Sequence, residues 1–389
     1  MNKMMKRLAL SASLSLCTFA AFPALAYEPT GNAATDAILE ALEASGATDV
    51  KVVSVSGSAS DPIITGLTAQ TETNGEKGSF SIDSIALTNA ALNEKGELTA
   101  DSAVVEKVTV DSDDVNMVAA KVNATKVFIP SADDIKNNPG VTGPMDGSVE
   151  FLGINIKSDD GKLVPVDRVY LATSDPVNGF PTKSSLEVDN ILVDAGSLDA
   201  DAHKELTKLG YEKLNMSARA SGTLNADTGI MTLDQFQISG TDAGVFSMTA
   251  VLGGMTAEVL EKLSQNQDKP EESMAILQGL TVQNLKIDFD NQSIVDRILD
   301  SKAKEAGTDR AAFVNQLTTM MPLVLGALQN PEFQKEVSST VTTFLQDPKN
   351  ISAEAVPPAP VPFAQVMGIA MMAPQTLPQI LNVKLRANQ

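Results

Sequence analysis

Hydrophobic and polar residues along this chain fall repeatedly into an eight-residue pattern, apolar at positions one, three, six and eight around a central polar pair. The plainest copy is Met231-Thr232-Leu233-Asp234-Gln235-Phe236-Gln237-Ile238. Others begin at Phe80 (FSIDSIAL), Val164 (VPVDRVYL), Leu186 (LEVDNILV) and Leu280 (LTVQNLKI), with a looser copy, LTADSAVV, at Leu98. Two period-2 alternations joined out of phase belong to strands, whose successive side chains point to opposite faces. A parity change in mid-strand predicts a bulge, a bend or a switch of the buried face. Asp83, Asp167, Asp189 and Asp234, at position four, are therefore expected at bends or strand ends. Residues one and three should face away from six and eight unless a bulge restores the register.

Between the copies the pattern predicts further elements. From Thr35 a short amphipathic helix is expected, capped by Thr35, with Ile38, Leu39 and Leu42 on one face and Gly46 as its stop. Val50 to Pro130 reads as a meander of KVVSVSGSA, IITGLTAQTE, GSFSIDSIALTNA, GELTADSAVV, EKVTVDSDD and AAKVNATKVFIP, with turns at Asn74-Gly75 and Lys95-Gly96. Residues 131–148, rich in Pro, Gly and Asn, read as a loop. Strands resume at Val149 with a turn at Asp160-Gly161. A helix fits Asp199 to Gly210, and three strands run from Lys213 to Gly253. Helices are expected over Thr256 to Gln265 and Glu271 to Gly279, and beyond LTVQNLKIDF the chain is mainly helical. There Ser293 and Asp296 resemble a capping box, Thr308 caps a longer helix that Pro322 should kink or split, and another helix spans about Glu332 to Leu345. A proline-bounded apolar helix after Val356 and a closing strand, QILNVKLRAN, end the chain.

The expected fold is mainly β with α: a large curved antiparallel β-sheet, amphipathic helices packed on it, and a helical C-terminal part. The expected sections are a signal peptide (1–26), a β-meander (27–130), a loop (131–148), a second β-rich section (149–290) and a helical section with a closing strand (291–389).

The first residues set the compartment. Lys3, Lys6 and Arg7 precede an apolar run from Leu8 to Phe22, and Ala24-Leu25-Ala26 forms an A-x-A site before Tyr27, the layout of a cleaved secretory signal. Export to the periplasm follows, with an extracellular location as the alternative and no membrane span after cleavage. Cys17, the single cysteine, lies in that run with Leu16 before it, so lipid anchoring is not expected and the mature chain carries no disulfide. The formal charge of −20 opposes nucleic acid and anionic surfaces. Aromatic residues are 4% of the chain with no Trp, which disfavours stacking platforms for sugars or bases.

Candidate chemistry is sparse. His203, the one histidine, sits between polar neighbours on the expected helix after Asp199, where a surface role outweighs a catalytic one. Acidic clusters occur at Asp111/Asp113/Asp114, Asp159-Asp160, Asp199/Asp201 and Asp288/Asp290, but none matches the twelve-residue calcium loop, and solvated turns account for them. No catalytic, metal or cofactor-binding residue is assigned, no cofactor is expected, and ligand-binding residues stay unassigned. The Met-rich segments at Met320-Met321 and Met367 to Met372 suit adaptable apolar grooves, yet are expected to cover the sheet.

GIMTLDQFQISGTDAGVFSMTAVLGG, and less fully GSFSIDSIALTNA, resemble the sheet repeats of AsmA-type envelope proteins. IDFDNQSIVDRILDSKAKEAGT, PAPVPFAQVMG and ILNVKLRAN resemble the C-terminal part of uncharacterised exported proteins of Gram-negative bacteria. The AsmA resemblance implies curved antiparallel strands forming an apolar trough. The expected function is a non-enzymatic periplasmic envelope protein that binds a lipid or other apolar ligand along its sheet, or an envelope protein partner. The alternatives are a secreted carboxylate-dependent hydrolase and a structural or adhesive surface module.

Overall fold

The structure, a computed structural model, describes residues 27–73, 76–112, 116–137, 146–157, 163–177, 180–266, 269–326 and 329–389. Outside them lie the expected leader with Cys17, the turns at Asn74-Gly75 and Asp160-Gly161, Asp113, Asp114, Asp159, and residues 138–145 of the expected loop. Among the described residues the fold is mainly β, with a large seventeen-stranded antiparallel sheet and C-terminal helices. The chain divides into one unit of Met1–Pro181 with Val188–Ile191 and another of Thr182–Glu187 with Leu192–Gln389.

The first unit holds β1 (Thr48–Lys51), β2 (Ser54–Gly57), β3 (Pro62–Thr73), β4 (Glu76–Thr88), β5 (Ala91–Leu92), β6 (Leu98–Ser112), β7 (Asn116–Ile129), β8 (Gly147–Lys157), β9 (Leu163–Ser174) and the middle of β10 (Lys183–Asp194). β1 and β2 both pair with β3, after which the order is β3-β4-β6-β7-β8-β9, with β5 also on β6. Two expectations change. KVVSVSGSA holds parts of two short strands, and Leu98–Ser112, from GELTADSAVV into EKVTVDSDD, is one strand, β6.

The parity changes explain that long strand. Gly66, Asp83, Lys107, Ala120, Gly153 and Asp167 lie opposite one another on β3, β4, β6, β7, β8 and β9, and at each the ladder skips one pair. Alternate members are left-handed: Gly66 at φ 68°, Lys107 at 49° and Gly153 at 61°, with Asn190 of β10 at 55° beside Asp167. Both strands skip equally, so register resumes unchanged: Ile82 faces Val108 before the break and Ser84 faces Glu106 after it. The backbone turns enough for residues on both sides to share one face. Thus Phe80 and Ile82 pack in the same cluster as Ile85 and Leu87, and Val166 in the same cluster as Val169. In β4 and β9, where no bulge intervenes, the expected facing of residues one and three away from six and eight is therefore corrected. A second break aligns Asn89 (φ 54°), Asp101 and Lys126 (φ 50°).

Left-handed backbone costs a non-glycine residue about 1–2 kcal/mol, and Asn tolerates it best. The phrase's Asp offers a side-chain partner to its left-handed neighbour: Asn190 Nδ2 donates to Asp167 Oδ2 at 2.8 Å, Asn89 Nδ2 to Asp101 Oδ2 at 2.7 Å, and Lys107 Nζ lies 3.7 Å from Asp83 Oδ2.

Helix α1 (Ala33–Ala44) closes one end of this sheet. Its cap is Asn32, whose side chain accepts from the Thr35 backbone N–H, so the helix starts earlier than the Thr35 cap expected. Ala34, Ile38 and Leu39 join Ile64, Leu67, Leu87 and Leu98 in a buried core. α2 (Ala132–Asn137), inside the stretch expected as loop, follows β7. A second cluster, Ala119, Val122, Ile154 and Val166, is rimmed by partly buried Phe151, Ile156, Val169, Val188 and Ile191.

The second unit continues with the ends of β10, α3 (Ala200–Lys208), β11 (Lys213–Asn225), β12 (Ile230–Gly240), β13 (Gly244–Gly253), α4 (Ala257–Gln265), α5 (Pro270–Leu277) and β14 (Thr281–Asn291). Then come α6 (Ile294–Glu305), α7 (Arg310–Leu325), α8 (Pro331–Gln346), β15 (Asn350–Ala355), β16 (Val361–Pro362), α9 (Phe363–Met372), α10 (Leu377–Ile380) and β17 (Val383–Ala387). β15 and β16 had no counterpart in the sequence pattern. Their order is β11-β12-β13-β14-β15-β17, with β16 also on β14.

Two helix-end expectations are corrected, and the helix that Pro322 is expected to kink or split is not split. Ser293 makes no capping bond and instead donates to the Asp242 carbonyl, while Asn291 Oδ1 takes the Val295 N–H. Asp309, not Thr308, caps α7. α7 also runs unbroken through Pro322 to Leu325.

Candidate functional site

In the second unit the same parity change is solved by bulges. On β12, Leu233 faces Ala250 of β13 while Phe236 faces Met248, so Asp234 and Gln235 together stand against Thr249 alone. On β14, Val251 of β13 faces Asn284 but Leu252 faces Val282, which leaves Gln283, position four of LTVQNLKI, as the extra residue. β11 and β13 keep constant parity. The extra residue in β12 and β14 brings all four strands back into phase.

Directly opposed residues of antiparallel strands share a face, so the registers line up apolar rows. One runs Ala218, Ile238, Phe246, Phe289, Ile351 and Ala387; the next Ala220, Phe236, Met248, Ile287, Ala353 and Leu385. A third runs Leu233, Ala250, Leu285, Ala355 and Val383. The opposite face carries Ser217, Arg219, Gln237, Ser247, Lys286, Asp288 and Glu354. This is the alternation of a sheet with one apolar and one solvated face.

The apolar face is unevenly covered. At the β14–β17 end α8 lies over β15 and β17: Phe344 is buried and meets Phe289 edge-on at 6.4 Å, and Glu336 accepts the Leu385 backbone N–H at 2.9 Å. The main strand contacts of α8 are with β15 and β17. Toward β11, Leu233, Phe236, Phe246, Met248 and Leu252 are only partly buried, as Ile287, Phe289 and Leu385 nearer α8 also are, and Ile238 is 37% exposed. Phe236 and Phe246 stack edge-on at 6.3 Å, forming the aromatic centre of this open area.

A polar junction holds the α6 end of the sheet. The Tyr211 hydroxyl donates to the Asp242 carbonyl at 3.0 Å, Arg297 Nε donates to Ser293 Oγ at 2.9 Å, and the Arg297 guanidinium lies 4.4 Å from the Tyr211 ring centre. Burial pushes the Asp296 carboxyl up, but Arg310 at 2.6 Å and Asn291 at 2.7 Å outweigh it and hold the group below its ordinary value. In the first unit Arg168 bridges Glu150 at 2.6 Å and Asp189 at 3.0 Å. Its hydrogen bond, with that of Asn123, keeps Glu150 below the usual carboxylate range.

The residues singled out for chemistry are dispersed. His203 is exposed on α3, its Nδ1 2.9 Å from the Ala195 carbonyl oxygen. Asp199 caps α3, Asp288 pairs with Lys286 at 2.9 Å, and Asp111 is exposed on β6. Among the described residues no three His, Cys, Asp or Glu converge on a metal-sized site. Four of the singled-out methionines depart from expectation: Met320, Met367, Met371 and Met372 are 50%, 45%, 77% and 83% exposed, too open for side chains buried against the sheet, while Met321 is partly buried. No described helix is long and apolar enough to cross a membrane.

A family model described as "Uncharacterized protein" matches residues 237–388, from within β12 to one residue past β17. No curated protein matches the chain.

Proposed function

We propose that this chain is a non-enzymatic protein of the cell envelope, exported to the periplasm, that holds an acyl chain or similar apolar ligand against the β11–β14 face. The observation that carries this is the aligned set of apolar rows, continuous across those strands yet incompletely covered around Phe236, Phe246 and Met248. Burying the exposed part of each large side chain beneath a ligand is worth about 25 cal/mol per Å2 of apolar surface. An acyl chain, which demands no hydrogen-bond partners, suits a surface that presents none. The resemblance of the β12–β13 sequence to AsmA-type repeats supports the same ligand class, and the leader supports the compartment.

Native mass spectrometry of protein purified from the envelope tests the proposal. A bound species in the mass range of a lipid, lost in Phe236→Gln, is the expected result. Bare protein under conditions that preserve known lipid complexes would remove the ligand.

A further inference from the structure

We infer that hydrolysis of the Ala26–Tyr27 peptide bond creates an α-ammonium group on Tyr27 that pairs with Glu43, so that processing fastens the new N-terminus to α1. This rests on the export reading above, but not on the ligand.

The Tyr27 backbone nitrogen lies 2.9 Å from Glu43 Oε1, and the Tyr27 hydroxyl donates to Glu40 Oε1 at 2.9 Å. Glu40 and Glu43 stand three residues apart on α1, close to one helical turn, so one residue is gripped at its backbone and at its ring tip. The ring packs against the core that contains Leu39 and Ile64. Burial and the hydrogen bond to Glu40 together push the Tyr27 phenol up. The strand of chain that follows is strapped down as well: Thr30 donates through both its backbone N–H (2.8 Å) and its hydroxyl (2.7 Å) to Asp36 Oδ1, and Asn32 caps the helix. Independently, the Ala24-Leu25-Ala26 sequence ends one residue before this seat.

A leader-cleaving endopeptidase would add water across the bond: as the C–N bond breaks, the hydroxyl goes to the Ala26 carbonyl carbon and the hydrogen to the Tyr27 nitrogen, and at neutral pH the proton lost by the new carboxylic acid is balanced by the one the amine takes up, leaving a carboxylate and an ammonium. The neutral N–H donor at Glu43 then becomes a charged one, and charge-assisted hydrogen bonds are roughly twice as strong as neutral ones. Asp36, Glu40 and Glu43 face the segment from α1, while Lys95, Asp133 and Lys136 line the depression beside Glu40 and Glu43. A single added cation therefore enters a surrounding that already holds three helix carboxylates.

The test is intact-mass analysis of the exported protein, followed by titration of its α-amine by pH-dependent acylation. The expected product begins at Tyr27, and its amine titrates about one unit or more above the ordinary value of about 7.7–8.0. Glu43→Gln removes most of the shift, leaving only the weaker pull of Asp36 and Glu40, while Glu40→Gln, which removes the hydroxyl partner, keeps most of it. A product that begins at Tyr27 but titrates identically in wild type and Glu43→Gln would overturn the pairing and leave export standing. An uncleaved chain, or one cut elsewhere, would overturn both.

Discussion

At the scale of single residues, the sheet depends on a few positions where the backbone turns left-handed. Gly66, at φ 68°, has the Val53 Cγ2 atom 2.6 Å from where a Cβ would stand. Gly66→Ala therefore combines a strained conformation with a clash, and urea denaturation should show a loss of about 1–3 kcal/mol. Gly326 is the control: with φ −52° and nothing within 4 Å of a built Cβ, Gly326→Ala should raise stability by up to about 1 kcal/mol through the unfolded chain. The Glu150–Arg168 contact gives a pH test. A carboxylate held below its unfolded value contributes stability at pH above that value, about 4, and the contribution is lost as pH falls through the folded value. The wild-type urea midpoint should thus drop on acidification below about pH 4, and Arg168→Ala should lower the neutral midpoint and flatten that drop.

At the scale of elements, alternation marks most of the strands, but the break within a strand is legible only where a polar pair with Asp sits at the bend. FSIDSIAL and VPVDRVYL expose Asp83 and Asp167 at the break. β3, β7 and β8 make the same break with Thr65-Gly66, Ala120-Lys121 and Leu152-Gly153, where the pair carries no acidic residue. What the bend requires is a left-handed residue on alternate strands, and a pattern of polarity sees that only when Asp marks it. Helix ends were misread for a related reason. Thr35, Ser293 and Thr308 are competent caps by type, but Asn32, Asn291 and Asp309 occupy the geometry, each accepting from a helix N–H. Asn32→Ala should cost about 1 kcal/mol, and Thr308→Ala close to nothing, in thermal unfolding. β15 escaped notice because NISAEA is short and contributes few large apolar residues. Its place between β14 and β17 is set by long-range pairing.

At the scale of the whole molecule, fold class was legible because alternation and turn chemistry recur along much of the chain. The apolar face of β11–β14 was legible only as a class of surface. Which rows align, and where cover ends, depend on bulges at Asp234 and Gln283 and on α8 packing Phe344 over Phe289. The contrast between the covered and open ends of that face is the core of the functional proposal, and it is measurable in solution. Titrating the purified protein with a neutral apolar fluorophore such as N-phenyl-1-naphthylamine tests it most directly. The proposal predicts saturable enhancement that a long-chain phospholipid displaces, and a loss of at least about tenfold in affinity for Met248→Gln, equivalent to about 1.4 kcal/mol. No saturable enhancement, or equal affinity in wild type and Met248→Gln, would contradict it.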